Sequence, residues 1–527
     1  MSFTWDFPYP SQRMPVLARN VVATSQPLAA QAGLRMMLNG GNAVDAALAT
    51  AIALTVVEPT SNGIGSDAFA ILWDGENLQG LNSSGRSPKA WSLSRFAGRE
   101  AMPASGWDTV TVPGAVAAWA ALSQRWGKLP FADLFEPAIA YARHGFVVSP
   151  ITARDWQAAR AFCSAFAEIK RVFFPSGRAP RAGELFRCPD QSDTLAAIAE
   201  SGGESFYRGA IAARIAACAA AEDGALTLDD LAGHTADWVT PIAIDYRHVR
   251  LHEIPPNGQG IAALIALGIL SNFDLSRHRV DSADSIHLQI EAMKRAFGEV
   301  FPHVADIDHM QTPPAELLSK DRLAVHASAI RQDRASQAVL NPPAGGGTVY
   351  LTTADESGMM VSYIQSNYTG FGSGVVVPGT GIALQNRGLG FVLEEGHPNC
   401  VAGNKRPFHT IIPAFVTQND RPLMSLGVMG AHMQPQGHVQ MMVRIFDYGQ
   451  NPQAACDAPR WHVAPDGSVQ LEPGVPPEVI AALRKRGHRA ATGAPASLFG
   501  GAQMIFRLQD GYVSASDPRK DGQAIGY

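Results

Sequence analysis

Gly345-Gly-Gly-Thr348 is the segment of this sequence whose residue types could do chemistry unaided. A Thr hydroxyl one peptide bond beyond a glycine can attack the preceding carbonyl, because glycine has no Cβ to obstruct a strained approach. Scission between Gly347 and Thr348 would free the Thr348 α-amine. Such an amine titrates near ~7.7–8.0, so it can act as base for its own hydroxyl without a histidine. One residue then supplies both nucleophile and base. A plain linker leading into a strand has the same local sequence, so these four residues alone leave both readings open.

Thr348 can act only if neighbouring elements hold it. Thr348–Asp355 and Met359–Gln365 are rich in β-branched and aromatic residues and flank the turn Glu356-Ser-Gly358, which predicts a β-hairpin beginning at Thr348. Ahead of it, Arg331–Gly347 has no sustained period, adjacent prolines and three glycines, and reads as a flexible connector. It divides the chain into a large part, 1–347, and a small part, 348–527. The large part is read as helical. Asn42 and Asp45 form a capping-box start for an apolar helix that Pro59 stops. A second helix is expected over Pro113–Arg125, with Pro113 in its first turn and Gly127 at its end. A third is expected over Asp284–Glu299, where Ile286, Ile290, Met293 and Phe297 recur at helical spacing. The small part alternates strands with Gly/Pro turns, and the whole predicts an α+β protein with helices layered on sheet.

Composition excludes several other chemistries. The chain has 527 residues and a net charge of -5 without long Lys/Arg blocks, so it carries no electrostatic footprint for nucleic acid. Its longest apolar stretch, Ala46–Val57, is well short of the ~20 residues of a membrane span. Met1–Pro10 has neither a basic start nor an apolar run, so a cytoplasmic location is expected. Five cysteines without a C-x-x-C pair predict reduced thiols. His397, His409, His432 and His438 lack ligand spacing, so no metal is expected. Gly63-Ile-Gly65 and Gly372-Ser-Gly374 lack the third glycine of a dinucleotide fingerprint, and no cofactor is expected. A non-catalytic binding module is the remaining class, disfavoured by the intact Thr348 and its glycines.

Further blocks carry a resemblance. Gly40-Gly-Asn-Ala-Val-Asp-Ala-Ala47, Val57-Glu-Pro59, Gly63-Ile-Gly65, Val112-Pro-Gly114, Pro255-Pro-Asn-Gly-Gln-Gly260, Glu291-Ala-Met-Lys-Arg-Ala-Phe297, Asn404-Lys-Arg-Pro407, Phe499-Gly-Gly-Ala-Gln503 and Asp517-Pro-Arg519 resemble, in that order, the γ-glutamyltranspeptidase family. The resemblance spans almost the whole chain. It implies an αββα four-layer sandwich of the N-terminal-nucleophile hydrolase type. It also implies one precursor cut at Gly347–Thr348 into α and β chains that stay together, with a dimer of αβ units compatible with it. Ser366 falls where the family keeps a hydroxyl on the nucleophile, and the N–H groups of Gly430 and Ala431 fall at its oxyanion turn. Arg86 falls where the family pairs an arginine with the substrate carboxylate.

The departures from the family bear on substrate. Gly390 stands where the family keeps the carboxylate that holds the glutamyl ammonium, and a buried ammonium without a counter-charge costs several kcal/mol. His409-Thr410 replaces a pair of serines. Tyr368 and Arg387 replace polar substrate-reading residues, narrow the pocket and add positive charge. A short anionic acyl group follows, and Thr369–Ile382 with Gln385-Asn-Arg-Gly388 is similar to the branch of the family that acts on oxamate in purine degradation, releasing oxalate and ammonia. A glutaryl or cephalosporin acylase, or a γ-glutamyl hydrolase or transpeptidase, is the alternative. Asp67 interrupts the family's glycine run, and a pocket role and a turn role are both open for it.

Overall fold

A computed structural model describes residues 13–337, 340 and 346–527; Met1–Pro10 and Gly345 lie outside the described residues. The hairpin begins where expected: Val349–Ala354 and Met360–Ser366 pair antiparallel, with Val349 opposite Gln365, so Thr348 stands at the mouth of the first arm. These strands are the centre of a seven-stranded sheet, flanked by Val21–Thr24 on one side and Asp67–Trp73 on the other. A second seven-stranded sheet is built around Arg421–Met429, Ala414–Gln418 and Gly501–Arg507.

The two sheets face each other across Phe69, Ile71, Tyr350 and Ile364 from the first and Phe415, Met429 and Ile505 from the second. Alternate residues of each strand point outward to helices, as the two-residue period of a strand requires. Val22, Ala68, Leu351 and Val361 pack under Ala43–Val57 and Ala115–Trp126, whereas Leu251, Val416, Leu426 and Met504 pack under Ile261–Leu270 and Met433–Phe446. The result is the αββα sandwich. Both faces of both sheets are covered, so the hairpin strands are buried throughout.

Ala43–Val57 is buried at every position, and its start is the capping box read from sequence: Asn42 accepts from the Val44 and Asp45 amides, and Asp45 accepts from the Asn42 amide. It ends at Val57, just ahead of Pro59. Two expectations change. Pro113 precedes its helix, whose N-cap is Gly114, because the Gly114 N–H is drawn to Ser66 O and Asp67 Oδ1. The third helix runs longer, over Ala283–His303.

The connector is also tied down at its described start. His287 Nε2 lies 2.8 Å from the Arg331 carbonyl, Glu291 accepts from the Ser336 amide, and Lys294 donates to the Ser336 carbonyl. Flexibility read from Arg331 onward therefore does not hold for Arg331–Ser336, because a buried polar cluster satisfies its backbone.

Candidate active site

Thr348 is 2 % exposed. In the uncut chain its Oγ donates to the Gly347 carbonyl oxygen at 2.8 Å, and Ser366 Oγ donates to the same oxygen at 2.7 Å. Ser366 is fixed in turn, since its Oγ accepts from the Tyr368 amide at 2.8 Å. Gln434 Nε2 donates to Thr348 Oγ at 3.2 Å while its Oε1 accepts from the Ile412 amide. The Gly347 carbonyl is thus polarised by two hydroxyls, and the Thr348 oxygen is oriented by an amide. Gln434 escaped sequence reasoning; the only available signal was a polar residue at the start of Met433–Phe446, just past the Gly430-Ala431 turn.

That turn closes the other side. Gly430 has φ +112 and Ala431 φ +52, the latter a conformation that non-glycine residues seldom adopt. Their carbonyls are bound by the Met433 and Gln434 amides, and Ala431 O also accepts from Gln259 Nε2. Gln259 also donates to Thr410 O, so the Pro255–Gly260 block braces the turn against the Thr410 strand entry. Thr348, Gly430 and Ala431 all border one cavity of about 500 Å³.

Behind Ser366 lies a fully buried polar group. Arg387 Nη1 donates to Thr410 Oγ1 at 2.8 Å, and the guanidinium stacks 4.3 Å from the Tyr368 ring centre. Among the described residues its Nε and Nη2 have no hydrogen-bond partner, nor has Tyr368 Oη. Burial pushes the Arg387 guanidinium down to about 10, an effect that the neighbouring Asp67 opposes, so it stays cationic at neutral pH. Asp67 is paired in register with Ser366 on the adjacent strand. It accepts from the Gly85 and Gly114 amides and lies 3.1 Å from His409 Nε2. Burial raises its carboxyl to about 7, with Arg387 pulling the other way. Burial, with Arg387 and Arg406 nearby, holds His409 well below the usual imidazole range. His409 Nδ1 accepts from the Ile411 amide, so the ring is neutral with its proton on Nε2, and its contact with Asp67 is a hydrogen bond between a neutral ring and a carboxyl group.

The structure changes one sequence assignment, that of Arg86. Arg86 does not line the cavity that holds Thr348: its guanidinium pairs with Asp306 at 2.8 Å and the Asn404 carbonyl at 3.2 Å, in a separate depression with Asp230 and His234. The Gly85 amide faces Asp67 but the next side chain turns away to a buried carboxylate, so the substrate-clamp expectation for Arg86 is not supported. At Gly390, a Cβ would meet the Phe408 carbonyl oxygen at 2.5 Å, so this backbone leaves no room for a carboxylate side chain there.

Elsewhere, His287, Glu291 and His488 bring ligand atoms within 4.8 Å of one another. Lys294 Nζ enters that cluster at 3.0 Å from Glu291 and 3.5 Å from His488, which puts an ammonium where a metal would compete. The five cysteines are free, and no helix among the described residues is long and apolar enough to cross a membrane.

A strand-opening threonine between two stacked antiparallel sheets, itself flanked by helices, defines an N-terminal-nucleophile hydrolase fold. The sequence model described as Gamma-glutamyltranspeptidase matches residues 29–527, and the chain belongs to that family. It is 35% identical over 528 residues to an oxamate amidohydrolase proenzyme of Klebsiella pneumoniae, covering 95% of this chain and 97% of that one. It is 34% identical over 520 residues to a glutathione hydrolase-like proenzyme of Bacillus subtilis, covering 96% and 98%. Among solved structures, a cephalosporin acylase from Bacillus halodurans superposes with a TM-score of 0.96 at 48% identity, covering 100% of this chain and 99% of that chain. Family members hydrolyse amide bonds, and these relatives differ in the acyl group their names give.

Proposed function

We propose that this chain is a self-processing amidohydrolase for a short, anionic oxo-acid amide, of which oxamate is the smallest example, with Thr348 as nucleophile. Processing starts when Thr348 Oγ attacks the Gly347 carbonyl carbon. The hydroxyl proton passes to the departing Thr348 nitrogen, leaving Gly347 as an ester on Oγ. Water then hydrolyses the ester, giving a Gly347 carboxylate and a free Thr348 α-amine. Ser366 steadies the oxyanion, and Gln434 Nε2 stabilises charge on Oγ as it develops.

In turnover the α-amine takes the Oγ proton as Oγ attacks the substrate amide carbon. Gly430 and Ala431 direct N–H groups at the developing oxyanion. The amine's proton goes to the leaving nitrogen, ammonia departs, and water releases oxalate from the acyl ester. The acyl carboxylate is held by Arg387, with Tyr368 covering the guanidinium face. His409 and Thr410 act through their neighbours: Thr410 orients Arg387 and His409 orients Asp67.

The observation that carries this reading is the buried Arg387 cation with two unpartnered nitrogens. Buried charges are otherwise paired, and a planar guanidinium suits a bidentate carboxylate. The closed space at Gly390 supports the loss of the glutamyl ammonium. The test is ammonia release by the processed protein from oxamate, with γ-glutamyl and glutaryl p-nitroanilides in parallel. Turnover of oxamate that falls on Arg387→Lys and is absent in Thr348→Ala is expected. Turnover of the longer donors with none of oxamate would overturn the short-acyl reading.

A further inference from the structure

Arg421–Met429 and Ala414–Gln418 pair antiparallel only as far as Leu426 opposite Ala414. Val428 and Ile412 would face each other further along the same register, but the pairing does not reach them. A buried backbone N–H without a strand partner needs another acceptor. Both acceptors come from the helix Met433–Phe446, one turn apart on one face: Gln434 Oε1 takes the Ile412 N–H at 2.9 Å, and His438 Nε2 takes the Val428 N–H at 3.3 Å. Gly437 permits this close approach, because a Cβ there would stand 2.5 Å from Val428 Cγ1.

His438 is itself held. Its Nδ1 lies 2.6 Å from Glu253 Oε1, and both side chains are fully buried. Since Nε2 accepts from Val428, the ring is neutral and carries its proton on Nδ1, which donates to Glu253. Glu253 Oε2 lies against Gly260, where a Cβ would stand 2.6 Å from it. Gly260 follows Gln259, whose Nε2 donates to the Ala431 carbonyl. The pair thus reaches the Gly430-Ala431 turn from two directions: through Val428, which leads into it, and through Gly260, next to the residue that braces it.

A buried pair of this kind adds little net stability over apolar side chains, so the geometry it fixes is the property to test. We infer that His438 and Glu253 are positioning residues for amide hydrolysis: His438 holds the Val428 end of the strand so that the Gly430 and Ala431 N–H groups meet the oxyanion, and Glu253 fixes the imidazole tautomer that lets it do so. The inference rests on the proposed function, with Thr348 as nucleophile and that turn as oxyanion site. It separates the protein's two reactions. Before cleavage Ser366 binds the Gly347 carbonyl and Gln434 binds Thr348 Oγ, and neither bond passes through His438. Turnover is the reaction that needs the turn.

The experiment measures kcat, KM and the self-cleavage rate of His438→Gln, His438→Leu and Glu253→Leu, using whichever of oxamate and the glutaryl and γ-glutamyl p-nitroanilides the wild type hydrolyses. A glutamine amide offers one donor and one acceptor, as the neutral imidazole does, so His438→Gln should retain kcat within about threefold. His438→Leu should lower kcat about 10- to 100-fold and Glu253→Leu about tenfold, the scale of misaimed oxyanion donors, with KM and self-cleavage within about threefold of wild type. Glu253→Leu leaves no unpaired charge behind, so it carries the test where His438→Leu does not fold. Unchanged kcat in Glu253→Leu, an equal loss in His438→Gln, or self-cleavage slowed as much as turnover overturns the inference. A wild type that hydrolyses only the longer donors overturns the short-acyl reading and leaves the positioning pair standing, whereas a Thr348→Ala variant that still turns over overturns both.

Discussion

Replacing Arg387 by Met should separate stability from activity. The side chain keeps its stem and loses a guanidinium that is fully buried, bonded once to Thr410 and stacked on Tyr368. Losing the hydrogen bond costs about 1 kcal/mol and losing the stack about 0.5–2 kcal/mol. Against this, removing an incompletely paired buried charge returns about 1–4 kcal/mol. The net change in stability therefore lies within about 2–3 kcal/mol of zero in either direction, read as a Tm shifted by only a few degrees. In turnover the same change removes the partner of the substrate carboxylate, worth about 2–5 kcal/mol. At 1.36 kcal/mol per decade, kcat/KM for oxamate should fall about 30- to 5,000-fold. The Tm comparison belongs near pH 6, below the value of about 7 for Asp67, where that carboxyl is protonated, and the kcat/KM comparison at about pH 8, where the Thr348 α-amine is free to act as base. A Tm lowered by ten degrees or more with kcat/KM almost intact would refute the reasoning and make Arg387 a structural residue.

Three other outcomes follow from the same geometry. Ser366→Ala removes one of two hydroxyls on the Gly347 carbonyl and should slow self-cleavage about 10- to 100-fold, followed by band conversion on a gel. Asp67 carries a carboxyl raised to about 7 from 3.8, so the folded state binds the extra proton and wild type loses stability as pH rises through that window. The Tm of Asp67→Asn relative to wild type should therefore climb from pH 4 to 7 and level off above; a flat difference would contradict the raised value. Gly390→Asp should not restore γ-glutamyl turnover, and strain against Phe408 O should cost about 1–3 kcal/mol, measured by denaturant unfolding.

The elements nearest the chemistry were legible because their signals are local. The hairpin at Val349–Ser366 announces itself by β-branched residues around a turn, and the Asn42–Asp45 box by two residues three apart. Arg86 was misplaced because motif order fixes where the backbone runs and says nothing of which way a side chain turns; Asp306, 220 residues away, decides that. Gln434 reaches Thr348 across 86 residues, and Asp67 reaches His409 across 342, so no spacing rule could have joined them. The connector looked loose because glycines and prolines are visible in sequence, whereas the His287–Lys294 cluster that grips its start exists only once helix and strand are packed.

In the proposed function Thr348 cuts its own chain and then serves as nucleophile. Intact-mass analysis of the purified protein, with N-terminal sequencing of the smaller fragment, reads this directly. Two chains are predicted, the smaller beginning at Thr348, and a single uncut chain without amidase activity in Thr348→Ala. A wild-type chain that stays whole yet hydrolyses amides, or a Thr348→Ala variant that still cleaves and turns over, would contradict it.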